Sequence, residues 1–96
     1  MKLQIRDTKR GRLTNYMEVL ADDVLRGMVS KGKGRYSETS LEDIKALALN
    51  RLWPMYTTTA VGKGFIRQVI VEDHVEKDVA RELRAAMSIV KANPRA

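Results

Sequence analysis

The groups best suited to recognising an anion or a planar ring lie close together near the middle of this sequence. The segment Leu47-Ala48-Leu49-Asn50-Arg51-Leu52-Trp53-Pro54-Met55-Tyr56 holds an amide, a guanidinium, an indole and a phenol within seven positions. Arginine binds a guanine edge or a phosphate with two parallel hydrogen bonds, and tyrosine or tryptophan offers a stacking face. The same residues also fit a structural role. Asn50 and Arg51 could satisfy the last carbonyls of a helix, while Trp53 and Tyr56 pack as core. For Asn50 and Arg51 the two roles are evenly matched; Trp53 is expected to pack. Two other motifs carry less. Gly27-Met28-Val29-Ser30-Lys31-Gly32-Lys33-Gly34 approaches a phosphate-binding loop. It has glycine where the magnesium-holding Ser or Thr belongs and it follows a helix rather than a strand, so it reads as a basic loop. His74, beside Glu72 and Asp73, has no marked nucleophile to activate and too few ligands to share a metal, so it reads as a surface or capping residue. No catalytic residue and no metal ligand is assigned, and a non-enzymatic protein is expected.

Composition narrows the partners. The chain has 96 residues, no cysteine and one histidine, with a formal net charge of +6. This length makes one domain, and so small a domain gains from self-association. Without cysteine there is no disulfide framework and no thiolate zinc site. Residues 1–12 hold Lys2, Arg6, Lys9, Arg10 and Arg12 against Asp7 alone, and read as a basic flexible tail ahead of a single domain at 13–96. Arg26, Lys31, Lys33 and Arg35 form a second unopposed group; Arg51, Lys63 and Arg67 form a third. The acids cluster near expected helix starts, where they complement the helix dipole. Basic clusters in the tail and loops point to an anionic partner. No apolar run is long enough for a signal peptide or a membrane span, so the cytoplasm is the expected location.

The hydrophobic spacing predicts a mainly α domain of three principal helices. The first runs over 15–29, opened by Asn15 with Glu18 at capping-box spacing and striped by Met17, Leu20, Val24, Leu25 and Met28. The second starts after Ser40 and ends at 51 or 52 before Pro54. Its apolar residues cover more than one face, which places it between two partners and motivates a homodimer. The third runs over 73–92, with Val75, Val79, Leu83, Ala86 and Val90 on one side and Asp73 paired with Lys77. Between the last two, Tyr56-Thr57-Thr58-Thr59 is extended in character and Gly62-Lys63-Gly64 is a turn. Residues 65–71 either pair with 55–60 as a short hairpin or begin the last helix.

Ala48-Leu49-Asn50-Arg51-Leu52-Trp53-Pro54-Met55-Tyr56 resembles the ALNRLPPxY signature of the late competence development (ComFB) family. Asn15-Tyr16-Met17-Glu18 and the close Val90-Lys91-Ala92-Asn93-Pro94-Arg95 are similar to that family's first and last helices. The resemblance implies a small, largely helical, dimeric, cytoplasmic receptor for a cyclic dinucleotide, chiefly cyclic di-GMP, signalling to a protein partner in competence, pilus or motility control. It brings Asn50, Arg51 and Tyr56 forward as ligand contacts. Arg10, Arg12 and Lys63 join them on charge alone, since two phosphates need more than one cation. Trp53 departs from the signature's first proline, and the zinc-binding cysteines of some relatives are absent. Two alternatives stand beside this: a small basic nucleic-acid-binding protein, and an interaction module with no small ligand.

Overall fold

The computed structural model describes residues 13–32 and 35–93. Four helices and one pair of very short strands follow in the order β1 (Thr14–Asn15), α1 (Tyr16–Lys31), α2 (Glu38–Leu49), β2 (Tyr56–Thr57), α3 (Ala60–Glu72) and α4 (Val75–Ala92). The architecture is mainly α, as expected, with one more helix than the three principal ones. The tail at 1–12 lies outside the described residues.

α1 begins where Asn15 predicts. The Asn15 side chain accepts from the Met17 N–H at 3.1 Å, satisfying one of the first-turn donors that a helix leaves open. The helix runs two residues further than expected, through Gly27, to Lys31. Gly27 is on the exposed side, where a Cβ would meet nothing within 4 Å, so the glycine marks no break. The segment that approached a phosphate-binding loop is therefore helical over residues 27–31.

α2 is capped by Ser37, not Ser40. The Ser37 hydroxyl oxygen accepts from the Ser40 N–H at 3.0 Å, which puts the helix start three residues before the expected place. Only Ser40 has an acid three residues on, Asp43; Ser37 is instead followed directly by Glu38, which lies in the first turn where negative charge favours the helix dipole. Ile44 and Ala48 are fully buried, and α2 packs against both α1 and α4, so it does lie between two partners. Those partners belong to the same chain, which removes the reason for assigning α2 to a dimer contact.

Residues 65–71 neither pair with 55–60 nor begin the last helix, but belong to a helix of their own. β2 pairs antiparallel with β1, Thr14 opposite Thr57 and Asn15 opposite Tyr56, while residues 60–72 form α3. Gly62 and Gly64, expected in a turn, lie in the first turns of this helix. Its start is set by Thr59, whose hydroxyl accepts from the Gly62 N–H at 2.9 Å. Two glycines in a helix cost about 1 kcal/mol each relative to alanine. Burial on α4 of Ile70, with Ile66 a turn earlier and half-buried, offsets that cost.

α4 starts at Val75 rather than 73. Asp73 ends α3, and His74 takes a left-handed conformation with φ 55°, the only such non-glycine residue described. Histidine accepts this region more readily than most residues, and one such residue is enough to turn the chain between two helices. His74 is exposed and sits at the cap position, with no side-chain capping bond. The expected Asp73–Lys77 pairing along one helix does not arise, because Asp73 is not in α4. The expected face of α4 does hold: Val79, Leu83, Ala86 and Val90 are buried, with Val75 packed at the edge. Together with Met17, Leu20, Ala21 and Leu25 of α1 they form one core.

Candidate functional site

The segment 47–56 closes α2 and carries the chain to β2. Its last carbonyls are satisfied by backbone groups: the N–H of Asn50 donates to Ala46, that of Arg51 to Ala48 and that of Leu52 to Leu49, at 3.0–3.2 Å. This settles what Asn50 and Arg51 do not do. Their side chains are not needed for capping, and both residues are exposed.

The Arg51 guanidinium instead reaches α4, where its Nε donates to Glu82 Oε1 at 2.9 Å. The Arg51 side chain stays 72% exposed. The Glu82 side chain is only 16% exposed, so the pair is open on the arginine side, where the guanidinium's remaining N–H groups are reachable by a phosphate or a guanine edge. The aromatic residues also face solvent. Trp53 is 85% exposed and Tyr56 59%. The expectation that Trp53 packs into the core is wrong: the chain leaves the helix at Asn50 and turns, so residue 53 no longer follows the buried stripe of Ile44 and Ala48.

The segment is held in place from the other side of the sheet. Asn15 Oδ1 accepts from the Met55 N–H at 2.7 Å as well as from Met17, and the Met55 carbonyl accepts from the Tyr16 N–H at 2.6 Å. Both backbone groups of Met55 are therefore tied to the start of α1. Lys63 is exposed in the first turn of α3, its N–H donating to the Thr59 carbonyl. One turn further, Arg67 Nε donates to the Tyr16 hydroxyl at 3.3 Å, which favours the charged guanidinium still more than usual.

Of the six residues expected at the site, Asn50 and Arg51 adjoin at the end of α2, and Tyr56 follows on β2. Lys63 stands on a separate element. No hydrogen bond or ion pair among the described residues joins any two of these four side chains. Arg10 and Arg12 lie outside the described residues. Three further residues bear on the segment and were not assigned to it from the sequence: Asn15, Tyr16 and Glu82. Asn15 was legible as a cap, but its bond to Met55 crosses 40 residues and Arg51–Glu82 crosses 31. No local pattern reports contacts at that separation.

A family model described as late competence development protein ComFB matches residues 14–94. Among solved structures, the chain is similar to the late competence protein ComFB from Bacillus subtilis, with a TM-score of 0.75 and 21% sequence identity. The match covers 86% of this chain and 92% of that one, and at this identity it bears on the fold alone. No curated protein matches the chain.

Proposed function

This chain belongs to the late competence development protein ComFB family, and from that premise we propose that it is a non-enzymatic regulatory receptor for cyclic di-GMP or a related cyclic dinucleotide. It acts in the cytoplasm, as a homodimer, on a protein partner in competence, pilus or motility control. One observation carries the ligand: within the family signature, a guanidinium and two aromatic rings stand in solvent at the end of α2, freed from capping and core duty. Arg51 is the edge- or phosphate-reading group, Tyr56 the stacking ring and Asn50 a second hydrogen-bonding group. Lys63, Arg10 and Arg12 are the further cations.

The homodimer is assigned to α3. Val61, Phe65 and Val69 recur at four-residue steps and are 71%, 66% and 43% exposed, on a stripe flanking the inward Ile66 and Ile70. A stripe of this kind is what a helix shows when half its apolar surface awaits a partner.

Titration calorimetry with cyclic di-GMP tests the ligand. Arg51→Ala is expected to weaken binding by about 1–3 kcal/mol, the scale for losing a bidentate guanine contact. Glu82→Gln, which releases the guanidinium from its competitor, is expected to keep or strengthen it. Unchanged affinity in a folded Arg51→Ala protein sinks the assignment. The nucleic-acid alternative gives the opposite pattern: binding of short duplex DNA that falls steeply with salt as counterions are released.

A further inference from the structure

We propose that the outward face of α4 is a docking surface for the phosphate backbone of a nucleic-acid duplex. Lys77, Arg81, Arg84, Ser88 and Lys91 follow one another at steps of four, three, four and three residues, and all five are exposed. At helical pitch these steps keep them within an arc of about 80°. Val79, Leu83, Ala86 and Val90 lie on the opposite side of the helix and are buried in the core, where α4 packs on α1, α2 and α3. The basic ridge is thus turned away from the body of the domain. It runs about 21 Å from Lys77 to Lys91.

Four cations in one line are not what the fold requires. Lys77 and Arg81 stand four residues apart, and Arg81 and Arg84 three, spacings at which like charges repel and weaken a helix. Lys91 complements the helix dipole in the last turn; Arg84, in the middle of the helix, has no such duty. Opposing acids are few. Asp78 Oδ1 lies 3.1 Å from Arg81 Nη1, and both side chains are more than half exposed, so this pair is open to exchange. Glu82 Oε2 is 3.9 Å from Arg81 Nε, while its other oxygen takes Arg51. Lys77, Arg84 and Lys91 have no side-chain hydrogen bond or ion pair among the described residues, and residues 83–93 hold no acid.

The chemistry of the ridge selects its occupant. Its one uncharged member is Ser88, and no aromatic or large aliphatic side chain interrupts it. A protein partner needs a buried aromatic or apolar anchor, and a helix lying in a membrane surface needs an apolar face; the ridge offers neither. A duplex needs only cations in a row, because its affinity comes from the counterions released as phosphates are neutralised. Over about 21 Å of axis a duplex presents about 12 phosphate charges, enough to meet all four cations together. A cyclic dinucleotide carries two phosphates and cannot span the ridge. The ridge is therefore a second surface, and it uses none of the residues assigned to the dinucleotide.

The test is fluorescence anisotropy of a dye-labelled DNA duplex of about 20 base pairs, titrated with the full-length protein over a series of salt concentrations. The double variant Arg84→Gln, Lys91→Gln is compared with Lys31→Gln, Arg35→Gln, which removes the same charge from exposed positions off α4. Glutamine forms helix well, so circular dichroism is expected to stay unchanged. The ridge variant is expected to weaken binding about tenfold or more at about 0.1 M salt, and to flatten the slope of log K against log salt by about two. The matched variant is expected to change both far less. Cyclic di-GMP binding is expected to persist in the ridge variant and duplex binding in Arg51→Ala, so the two surfaces are tested separately. No duplex binding, equal losses in the two double variants, or equally tight binding of polyglutamate or of phosphatidylserine vesicles at the same salt would each overturn the proposal.

Discussion

At the residue scale, the side chain that most constrains the candidate site is Asn15, which was legible only in half its role. Its position before an apolar stripe marks a cap. Its second bond, to Met55, depends on β1 and β2 meeting, and nothing within 40 positions announces that. Asn15→Ala removes the acceptor for two backbone donors at once. Losing a cap costs about 1 kcal/mol, and leaving a half-buried N–H without a partner costs about 1–3 kcal/mol. Chemical denaturation is expected to show a loss larger than a cap alone, with Asn15→Asp recovering most of it. A loss no greater than that of an ordinary cap would mean the Met55 bond contributes nothing. Arg51 shows the reverse case. Its type and its place in the signature were legible, while its tether to Glu82 was not, because that residue is 31 positions away on another helix.

At the element scale, α1, α2 and α4 were legible because each buries a stripe with helical period. Their ends were less so, because two serines compete to cap α2 and because a histidine, rather than a glycine, supplies the left-handed residue before α4. α3 was hidden by its composition. Glycine at 62 and 64 suggests a turn, and Val69-Ile70-Val71 suggests a strand. What decides for helix is tertiary: Ile66 and Ile70 meet the core at one-turn spacing. The two glycines then separate cleanly. A Cβ at Gly62 would collide with the Thr57 hydroxyl, whereas one at Gly64 would meet nothing within 4 Å. Gly64→Ala is expected to stabilise the protein by about 0.5–1 kcal/mol, the usual gain in a helix interior. Gly62→Ala is expected to destabilise it, because the β-branched Thr57 must move with its bond to Thr59. Thermal melts of the pair give opposite signs if α3 forms in solution as described, and equal signs if it does not.

At the scale of the whole molecule, the apolar surplus sits on α3 and the charge is segregated. The core draws on α1, α2 and α4 with a single buried residue from α3, so α3 is the element whose other face most needs covering. Phe65→Asp is expected to turn the proposed dimer into a monomer of unchanged helicity, read by light scattering together with circular dichroism. A dimer that survives the change would move the contact elsewhere. The net charge of +6 is likewise a sum of unlike parts. Five of its eighteen bases fall in residues 1–12, and a cluster of its acids, Glu18, Asp22, Asp23 and Glu42, lies along α1 and α2. The bond from Met55 to Asn15 has a mechanical consequence for this arrangement. The strand pair and that bond fasten the end of the signature segment to the residues that open α1. A displacement of Tyr56 therefore bears first on Asn15 and, through it, on the opening turn of α1.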